Sequence, residues 1–425
     1  MSTIFAVSSG RPPAAIAVIR ISGPDAIDAA RALAGPLPEP RRAGLRLLRD
    51  GDGAPLDRAL VLVFPAAHSA TGENLVELHC HGGRAVVAAV GRALAAQSGC
   101  RLAEPGEFTR RSLANGRIDL AEAEGLADLL SAETEAQRVA ALGAAEGRVS
   151  REVDRWMARV AELSAGIEAI LDHADEDDVG GGDDVIISLL EDAHSLGCEI
   201  AAIASGPPVE RVRDGVRVVI AGPPNAGKST LLNLLAERDA AIVSPIAGTT
   251  RDRIEASVAH EGVAYVLSDT AGITSTDNIV EAIGVTRAEE AIGSADILLW
   301  LGDGGPPRHD ALWIQARADL PGRSVLLLGR SMLVRQDSPQ TIADLWRLIG
   351  GAAATLLPRG DMLPLRERHR SLCNMAAKAL LHGSADPVLV GEYFRVARNS
   401  LAEITGRNAT ESMLDNLFSR FCIGK

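Results

Sequence analysis

The chain has 425 residues, room for about three domains at roughly 150 residues each. Hydrophobic residues make up 47% and mean hydropathy is +0.10, which excludes a wholly disordered chain, while the apolar-rich stretches, such as Ala291–Leu301, fall short of a bilayer-spanning helix. With 43 Lys and Arg against 56 Asp and Glu the net charge is −13, which argues against coating nucleic acid through bulk charge; any RNA contact is expected from a local patch or a partner.

The sequence begins Met1-Ser2-Thr3-Ile4-Phe5 without a basic leader, so a soluble cytoplasmic protein is expected. Five scattered cysteines fit reduced thiols rather than a disulfide framework. Within residues 1–115, Ala14–Ile21 and Ala59–Phe64 read as strands and Arg84–Gln97 as a helix. Turn signals at Ser22-Gly23-Pro24 and Gly51-Asp52-Gly53 separate such runs, which predicts an α/β or α+β domain. Residues 116–212 change character. Leu120, Ala123, Leu126, Leu129 and Leu130 recur at helical spacing, as do Val160, Leu163, Ile167, Ile170 and Leu171. The acidic, Gly-rich stretch Asp172–Asp184 lacks calcium-loop spacing and reads as a solvated loop.

At Val216 the pattern becomes strand, Gly-rich loop, helix. Further strand-like runs follow at Val263–Ser268, Asp296–Leu301 and Ser324–Leu328, with helical stretches between them. This alternation predicts a mostly parallel sheet covered by helices over residues 213–363. From residue 364 to 425 the chain is helical again, so the α/β block reads as an insertion into a helical domain.

The block opens with a phosphate-binding signature. The β-branched run Val216–Ala221 leads into Gly222-Pro223-Pro224-Asn225-Ala226-Gly227-Lys228-Ser229, followed by the helix-like Thr230–Ala236. The glycines let backbone N–H groups point at phosphate oxygens, and the helix N-terminus adds positive potential. Lys228 suits the β and γ phosphates, and the Ser229 hydroxyl suits Mg²⁺. Two more parts follow in order. Gly248-Thr249-Thr250-Arg251-Asp252 suits a first switch, with Thr250 as a second Mg²⁺ hydroxyl. Asp269-Thr270-Ala271-Gly272 follows the strand Val263–Ser268; its Asp suits the metal and its Gly N–H the γ-phosphate. Three such motifs in order point to a switch-type nucleotide hydrolase. The next residue, Ile273, cannot hydrogen-bond a water, which leaves Glu281 and Asp277 as nearby carboxylates for that task.

The motifs extend beyond the phosphate site. Ile19-Arg20-Ile21-Ser22-Gly23-Pro24, Thr71-Gly72-Glu73 and Glu77-Leu78-His79-Cys80-His81-Gly82-Gly83 stand in the first domain. Ala103-Glu104-Pro105-Gly106-Glu107-Phe108-Thr109-Arg110-Arg111 and Asn115-Gly116-Arg117-Ile118-Asp119-Leu120 follow, and the sequence ends Phe421-Cys422-Ile423-Gly424-Lys425. Together these resemble the bacterial tRNA-modification GTPase family MnmE (TrmE) over essentially the whole length. The resemblance implies a multidomain α/β plus all-α protein. Its parts are an N-terminal α/β folate-binding domain (1–115) that also dimerises, a helical domain (116–212 and 364–425), and an inserted P-loop GTPase domain with a parallel sheet (213–363).

It further implies a homodimer that joins an FAD- and NADH-dependent partner, MnmG (GidA), in a heterotetramer acting on tRNA, with no membrane. Together they add a (carboxymethyl)aminomethyl group to C5 of the wobble uridine, the methylene coming from a 5-formyl- or methylene-tetrahydrofolate. By motif, Arg20, Glu77, Arg117 and Lys425 become folate contacts, with basic groups toward the folate carboxylate and Glu77 toward the pterin N–H edge. Asn225, Ala226, Gly227, Lys228, Ser229, Thr230 and the run Ser244-Pro245-Ile246-Ala247-Gly248-Thr249-Thr250 become nucleotide contacts, with Asp269, Thr270, Ala271 and Gly272. Within that set Asn225, Ser244, Ile246 and Thr249 match the family's K⁺ site, where the cation supplies the charge an arginine finger would. Dimerisation of the GTPase domains with K⁺ is implied to stimulate hydrolysis. Glu281 matches the residue assigned to water orientation, Arg251 a secondary catalytic role, and Cys422 a position near the folate. His79 and His81 could share a strand face, but no further metal ligands accompany them, so a structural role is expected.

One departure stands out. A guanine-specific site normally carries Asn-Lys-x-Asp after the strand read at Ser324–Leu328, where this chain has Gly329-Arg330-Ser331-Met332. No counterpart of the next base-side loop is recognisable between Gly350 and Leu365, and the chain reads as short for the family there. On that reading affinity weakens and base specificity relaxes while phosphate chemistry survives. The alternatives are a ribosome-assembly or regulatory GTPase, or a homologue with impaired guanine recognition.

Overall fold

The computed structural model describes residues 2–172, 182–238, 255–270, 288–320, 323, 325–335, 338–358, 362–407, 411–419, 421, 423 and 424. The chain separates into two compact units, residues 1–127 with 402–425, and residues 128–401.

The first unit is built on a six-stranded sheet. Its strands are β1 (Thr3–Val7), β2 (Ile16–Ser22), β3 (Gly44–Arg49), β4 (Pro55–Phe64), β5 (Leu75–His81) and β6 (Cys100–Leu102), in the order β3-β4-β5-β2-β1-β6. All pairs are antiparallel except β1 with β6. Alternation decides the faces. Ile19 and Ile21 of β2, Val61 and Val63 of β4, and Val76, Leu78 and Cys80 of β5 form one apolar face, covered by α1 (Ala26–Ala34) and α2 (Arg84–Ala95). The opposite face carries Arg20, Glu77 and His79, beside a smaller cluster of Ile4, Ala6, Ala103 and Phe108. Phe108 belongs to α3 (Glu107–Ala114), which begins at Gly106 with φ +68°; a Cβ there would lie 2.7 Å from the Phe418 carbonyl. The strand readings at 14–21 and 59–64 hold with shifted ends, and His79 and His81 do share a strand, β5, whereas β1, β3 and β6 have no counterpart in the sequence reading.

The second unit combines helices with a second sheet. In α6 (Arg148–Asp172), Val153, Trp156, Val160, Leu163 and Ile167 form one buried stripe. It packs against α7 (Gly182–Ala204), and Glu199 of α7 accepts from Trp156 Nε1 at 3.0 Å and Arg159 at 2.7 Å. Short helices α5 (Glu135–Ala145) and α8 (Glu210–Arg213) complete the run before the sheet, α4 (Leu120–Ser131) runs across the division at residue 127, and α5 opens with a Thr134–Gln137 capping box.

The second sheet holds β7 (Val216–Ala221), β8 (Glu255–His260), β9 (Val263–Asp269), β10 (Ile297–Trp300), β11 (Leu312–Gln315) and β12 (Met332–Leu333). Their order is β12-β11-β10-β7-β9-β8, parallel throughout but for the β8–β9 hairpin. Val218, Ile220, Leu267, Leu299 and Ile314 form its core with Leu231 and Leu235 of α9 (Lys228–Arg238) and Ile342, Leu345 and Trp346 of α10 (Pro339–Leu356). After it come α11 (Glu367–Leu380) and α12 (Pro387–Ile404), with α13 (Glu411–Phe418) in the first unit.

Here the sequence reading needs a correction. The apolar run Ser324–Leu328 is not a strand in its described residues, 325–328. The place beside β10 is taken by β11, a dozen residues earlier. Leu328 is fully exposed, and the main-chain groups nearby are satisfied by a side chain rather than a ladder: Gln315 donates to the carbonyls of Arg323 and Val325 and accepts from Leu327 N–H. Apolar content alone cannot distinguish such a covering loop from a strand.

Among the described residues no helix is long and apolar enough to cross a membrane, and Cys80, Cys100, Cys198 and Cys373 are free. Burial pushes the Cys80 and Cys373 thiols up to about 12, so both are inert at neutral pH.

Candidate nucleotide site and N-terminal site

The central strand β7 delivers the phosphate loop to the carboxyl edge of the parallel sheet, where open α/β sheets bind ligands. The loop needs unusual backbone. Gly222 has φ +155° and Gly227 φ +98°, and Asn225 is itself left-handed at +60°. Lys228, only 6% exposed, donates to the carbonyls of Gly222 and Pro223 at 3.0 Å each, which holds its ammonium inside the loop. Ser229 Oγ donates to Asp269 at the end of β9, a buried carboxylate. Thr270 Oγ1 donates to the Ile220 carbonyl at 3.3 Å, so it braces β9 against β7. Asn225, Ala226, Gly227, Lys228, Ser229 and Thr230 together line a cavity of about 540 Å³.

The other wall of that cavity is unforeseen. It consists of Ala316, Arg317 and Asp319, directly after β11, with Val334 after β12. Arg317, at φ +59°, donates to the Asn225 carbonyl at 2.9 Å, tying this segment to the phosphate loop. Ala318 N–H donates to the Val334 carbonyl at 3.1 Å. Gly329, Arg330, Ser331 and Met332 do not line the cavity. Arg330 is instead buried on the Trp313 ring, 5.0 Å away, and pairs with Asp303 at 3.0 Å, while Met332 enters β12. What stands at 329–332 therefore does not bear on this cavity. Of the stretch Gly350–Leu365, residues 350–356 lie in α10 and 359–361 lie outside the described residues. The segment Ala316-Arg317-Ala318-Asp319 differs from Asn-Lys-x-Asp at its first two positions and shares its Asp, the one signal in the sequence.

Several expected contacts lie outside the described residues: Ser244, Pro245, Ile246, Ala247, Gly248, Thr249, Thr250, Arg251, Ala271, Gly272, Ile273, Asp277 and Glu281, with Cys422 and Lys425.

In the first unit, Arg20 and Glu77 stand directly opposite each other on β2 and β5. Arg20 donates through Nε and Nη2 to Glu77 Oε1 at 3.2 and 2.9 Å, and its guanidinium lies 5.9 Å from the Phe108 ring centre. His79 Nε2 meets the other carboxylate oxygen at 3.1 Å. Burial alone would raise the Glu77 carboxyl, but Arg20 and then His79 outweigh it and hold it below the usual range. His81 bonds Asp57 at 2.7 Å, and no cluster of metal ligands occurs among the described residues. Arg117 lies beside the turn at Gly72 (φ +75°), where an added Cβ would meet Asn115 Cβ at 2.8 Å and Arg117 Cγ at 3.2 Å. The same turn feeds a buried polar chain. Ser22 meets Thr71 at 2.7 Å and Glu73 at 3.0 Å, Glu73 pairs with Arg111 at 3.0 Å, and Glu107 binds Arg111 at 2.9 Å and Arg101 at 2.5 Å. The C-terminal residues dock nearby, with Ser8 Oγ donating to the Gly424 carbonyl at 2.7 Å and Ile423 bridged to Pro105.

Comparison with known proteins matches the same two regions. The family model of the GTP-binding protein TrmE N-terminus covers residues 3–117, and that of the MnmE helical domain covers residues 120–422. A tRNA modification GTPase MnmE of Erythrobacter litoralis is 52% identical over 428 residues, spanning 100% of both chains. Those of Rhizorhabdus wittichii and Novosphingobium aromaticivorans are 52% and 49% identical across 100% of this chain and 96% and 99% of their own. Against these relatives the chain is not short. Agreement over the full length, in both the N-terminal and the helical models, shows that the chain belongs to the MnmE (TrmE) family of tRNA modification GTPases.

Proposed function

We propose that this protein hydrolyses GTP in the service of tRNA modification, as the names of its relatives say of them. One observation carries the reading: a single cavity has the phosphate loop on one wall and the Asp319 carboxylate on the other. Lys228 and the loop N–H groups bind the phosphates, and Asp319 accepts from the N1 and C2-amine hydrogens of guanine, which adenine lacks. Ser229 and Asp269, adjacent hard oxygen donors, suit Mg²⁺, with Thr250 completing the set. That ion supplies neutralisation of charge on the β and γ phosphates. Glu281 orients the attacking water, Arg251 supports the first switch, and Asn225, Ser244, Ile246 and Thr249 hold K⁺ when two GTPase domains meet.

In the first unit Arg20, Glu77, Arg117 and Lys425 bind a 5-formyl- or methylene-tetrahydrofolate, close to Cys422. The fit rests on the half-buried Arg20–Glu77 pair, which offers cationic N–H groups and a carboxylate kept ionised. The folate supplies a one-carbon unit, and with an FAD/NADH-dependent MnmG-type partner the cytoplasmic homodimer modifies the wobble uridine. The working division is residues 1–115, 116–212 with 364–425, and the GTPase block 213–363.

The test is GTP turnover in KCl against NaCl at equal ionic strength, with Lys228→Ala as control. K⁺-stimulated turnover lost in Lys228→Ala is expected. No turnover in either salt overturns the hydrolase reading.

A further inference from the structure

We propose that Gln315 is a positioning residue for nucleobase recognition, acting through the strand that carries Asp319. The inference rests on the reading of Asp319 as the base contact. Gln315 is the last residue of β11 and is 1% exposed. Its side-chain amide makes three hydrogen bonds to a single covering loop: Nε2 to the carbonyls of Arg323 and Val325, each at 2.8 Å, and Oε1 from Leu327 N–H at 3.0 Å. Its own carbonyl accepts from Val334 N–H at 2.9 Å, the residue that lines the cavity after β12. Gln315 thus ties Arg323, Val325 and Leu327 to the end of β11, immediately before the segment 316–319.

The same loop is anchored a second time. Arg330 lies on the Trp313 ring, on the face of β11 that also carries Gln315, and Gly329 (φ +84°) packs against that ring. Asp303 receives both Arg330 and Arg323. The loop therefore covers one face of β11 while Ile314 packs into the core on the other. Asp319 is itself exposed, four residues past this clamp, so its place across from the phosphate loop is set by the strand beneath it and by Arg317. Buried amides with all their partners fix a unique geometry, and removing the amide frees the strand end without touching the phosphate loop.

The test measures equilibrium binding of GDP and ADP to the full chain, for the wild type, Gln315→Met, Leu327→Pro and Asp319→Ala, alongside thermal midpoints. Gln315→Met keeps side-chain length and deletes the amide; Leu327→Pro removes the loop N–H that Gln315 Oε1 accepts. Gln315→Met is expected to lower the GDP:ADP affinity ratio by about tenfold with ADP binding unchanged, the order set by losing one or two buried hydrogen bonds. Leu327→Pro shifts the ratio the same way by less. A merely structural role would weaken GDP and ADP together with the thermal midpoint, and that result overturns the inference. So does an unchanged ratio in Gln315→Met and Leu327→Pro while Asp319→Ala lowers it; the base-site reading then stands. An unchanged ratio in Asp319→Ala overturns the base-site reading itself and the inference with it.

Discussion

Asp319→Asn gives the sharpest test of the nucleotide site. A carboxylate facing guanine accepts two hydrogen bonds, from N1–H and from the C2 amine. Hydrogen bonds to charged groups contribute about 1.5–3 kcal/mol each. Asp319 is exposed at the cavity wall, so the low end applies and the pair supplies about 3 kcal/mol. The amide introduced by Asp319→Asn keeps one acceptor, loses the charge and presents an N–H to the guanine amine. A loss of about 2–3 kcal/mol follows, or roughly 30- to 150-fold weaker GDP binding. Xanthine carries a carbonyl where guanine carries that amine, so the new N–H donates to it and xanthosine diphosphate gains what guanosine diphosphate loses. Phosphate contacts through Lys228 are common to both ligands and cancel. Titration with fluorescent derivatives of the two diphosphates reads the crossover directly. Binding of guanosine diphosphate within twofold of the wild type, with no gain for xanthosine diphosphate, would refute the argument.

In the first unit, Arg111→Met removes the guanidinium shared by the largely buried Glu73 and Glu107, leaving Glu107 to Arg101 and Glu73 to the Ser22 hydroxyl, and is expected to cost about 3 kcal/mol of stability in urea denaturation. A loss below 1 kcal/mol would show that water reaches the network. For Glu107, burial raises the carboxyl, but Arg101, the Glu104 N–H and Arg111 outweigh it, and its net position is below the ordinary 4.5. Glu77 is also held below it. A depressed carboxyl gives stability that is full above the unfolded value and lost as pH falls through the folded one. The urea midpoint of the first unit is therefore expected to stay level from pH 7 to about 5 and to fall below about 4.5. Gly72→Ala forces a Cβ into Asn115 and Arg117 at φ +75°, and is expected to weaken tetrahydrofolate binding by calorimetry more than it lowers the thermal midpoint. Equal loss of both would make the turn a purely structural element.

The phosphate loop was legible because its physics is local. Its conformation, its lysine and its helix start occupy one short stretch, and the strand before it announces itself by β-branched residues. The pairing of Arg20 with Glu77 was not legible as a contact, since it depends on the register of β2 against β5, set by apolar residues on the opposite face. The far wall of the cavity was hidden for a related reason. Which residues face a nucleotide is decided by which strand lies beside β10. The more apolar run, 325–328, looked the better strand and is a covering loop.

What selects Leu312–Gln315 instead is the contrast between its two faces. Ile314 enters the core, whereas Trp313 and Gln315 turn to the loop, one beneath Arg330 and the other holding three loop main-chain groups. A slip of one residue would turn the buried amide into the apolar core and Ile314 out onto polar main chain. It would also carry Asp319 along the strand axis by about 3.3 Å, more than a hydrogen bond tolerates. The polar clamp that disguised the strand in the sequence is therefore the feature that fixes its register, and with it the distance from the phosphate loop to the Asp319 carboxylate.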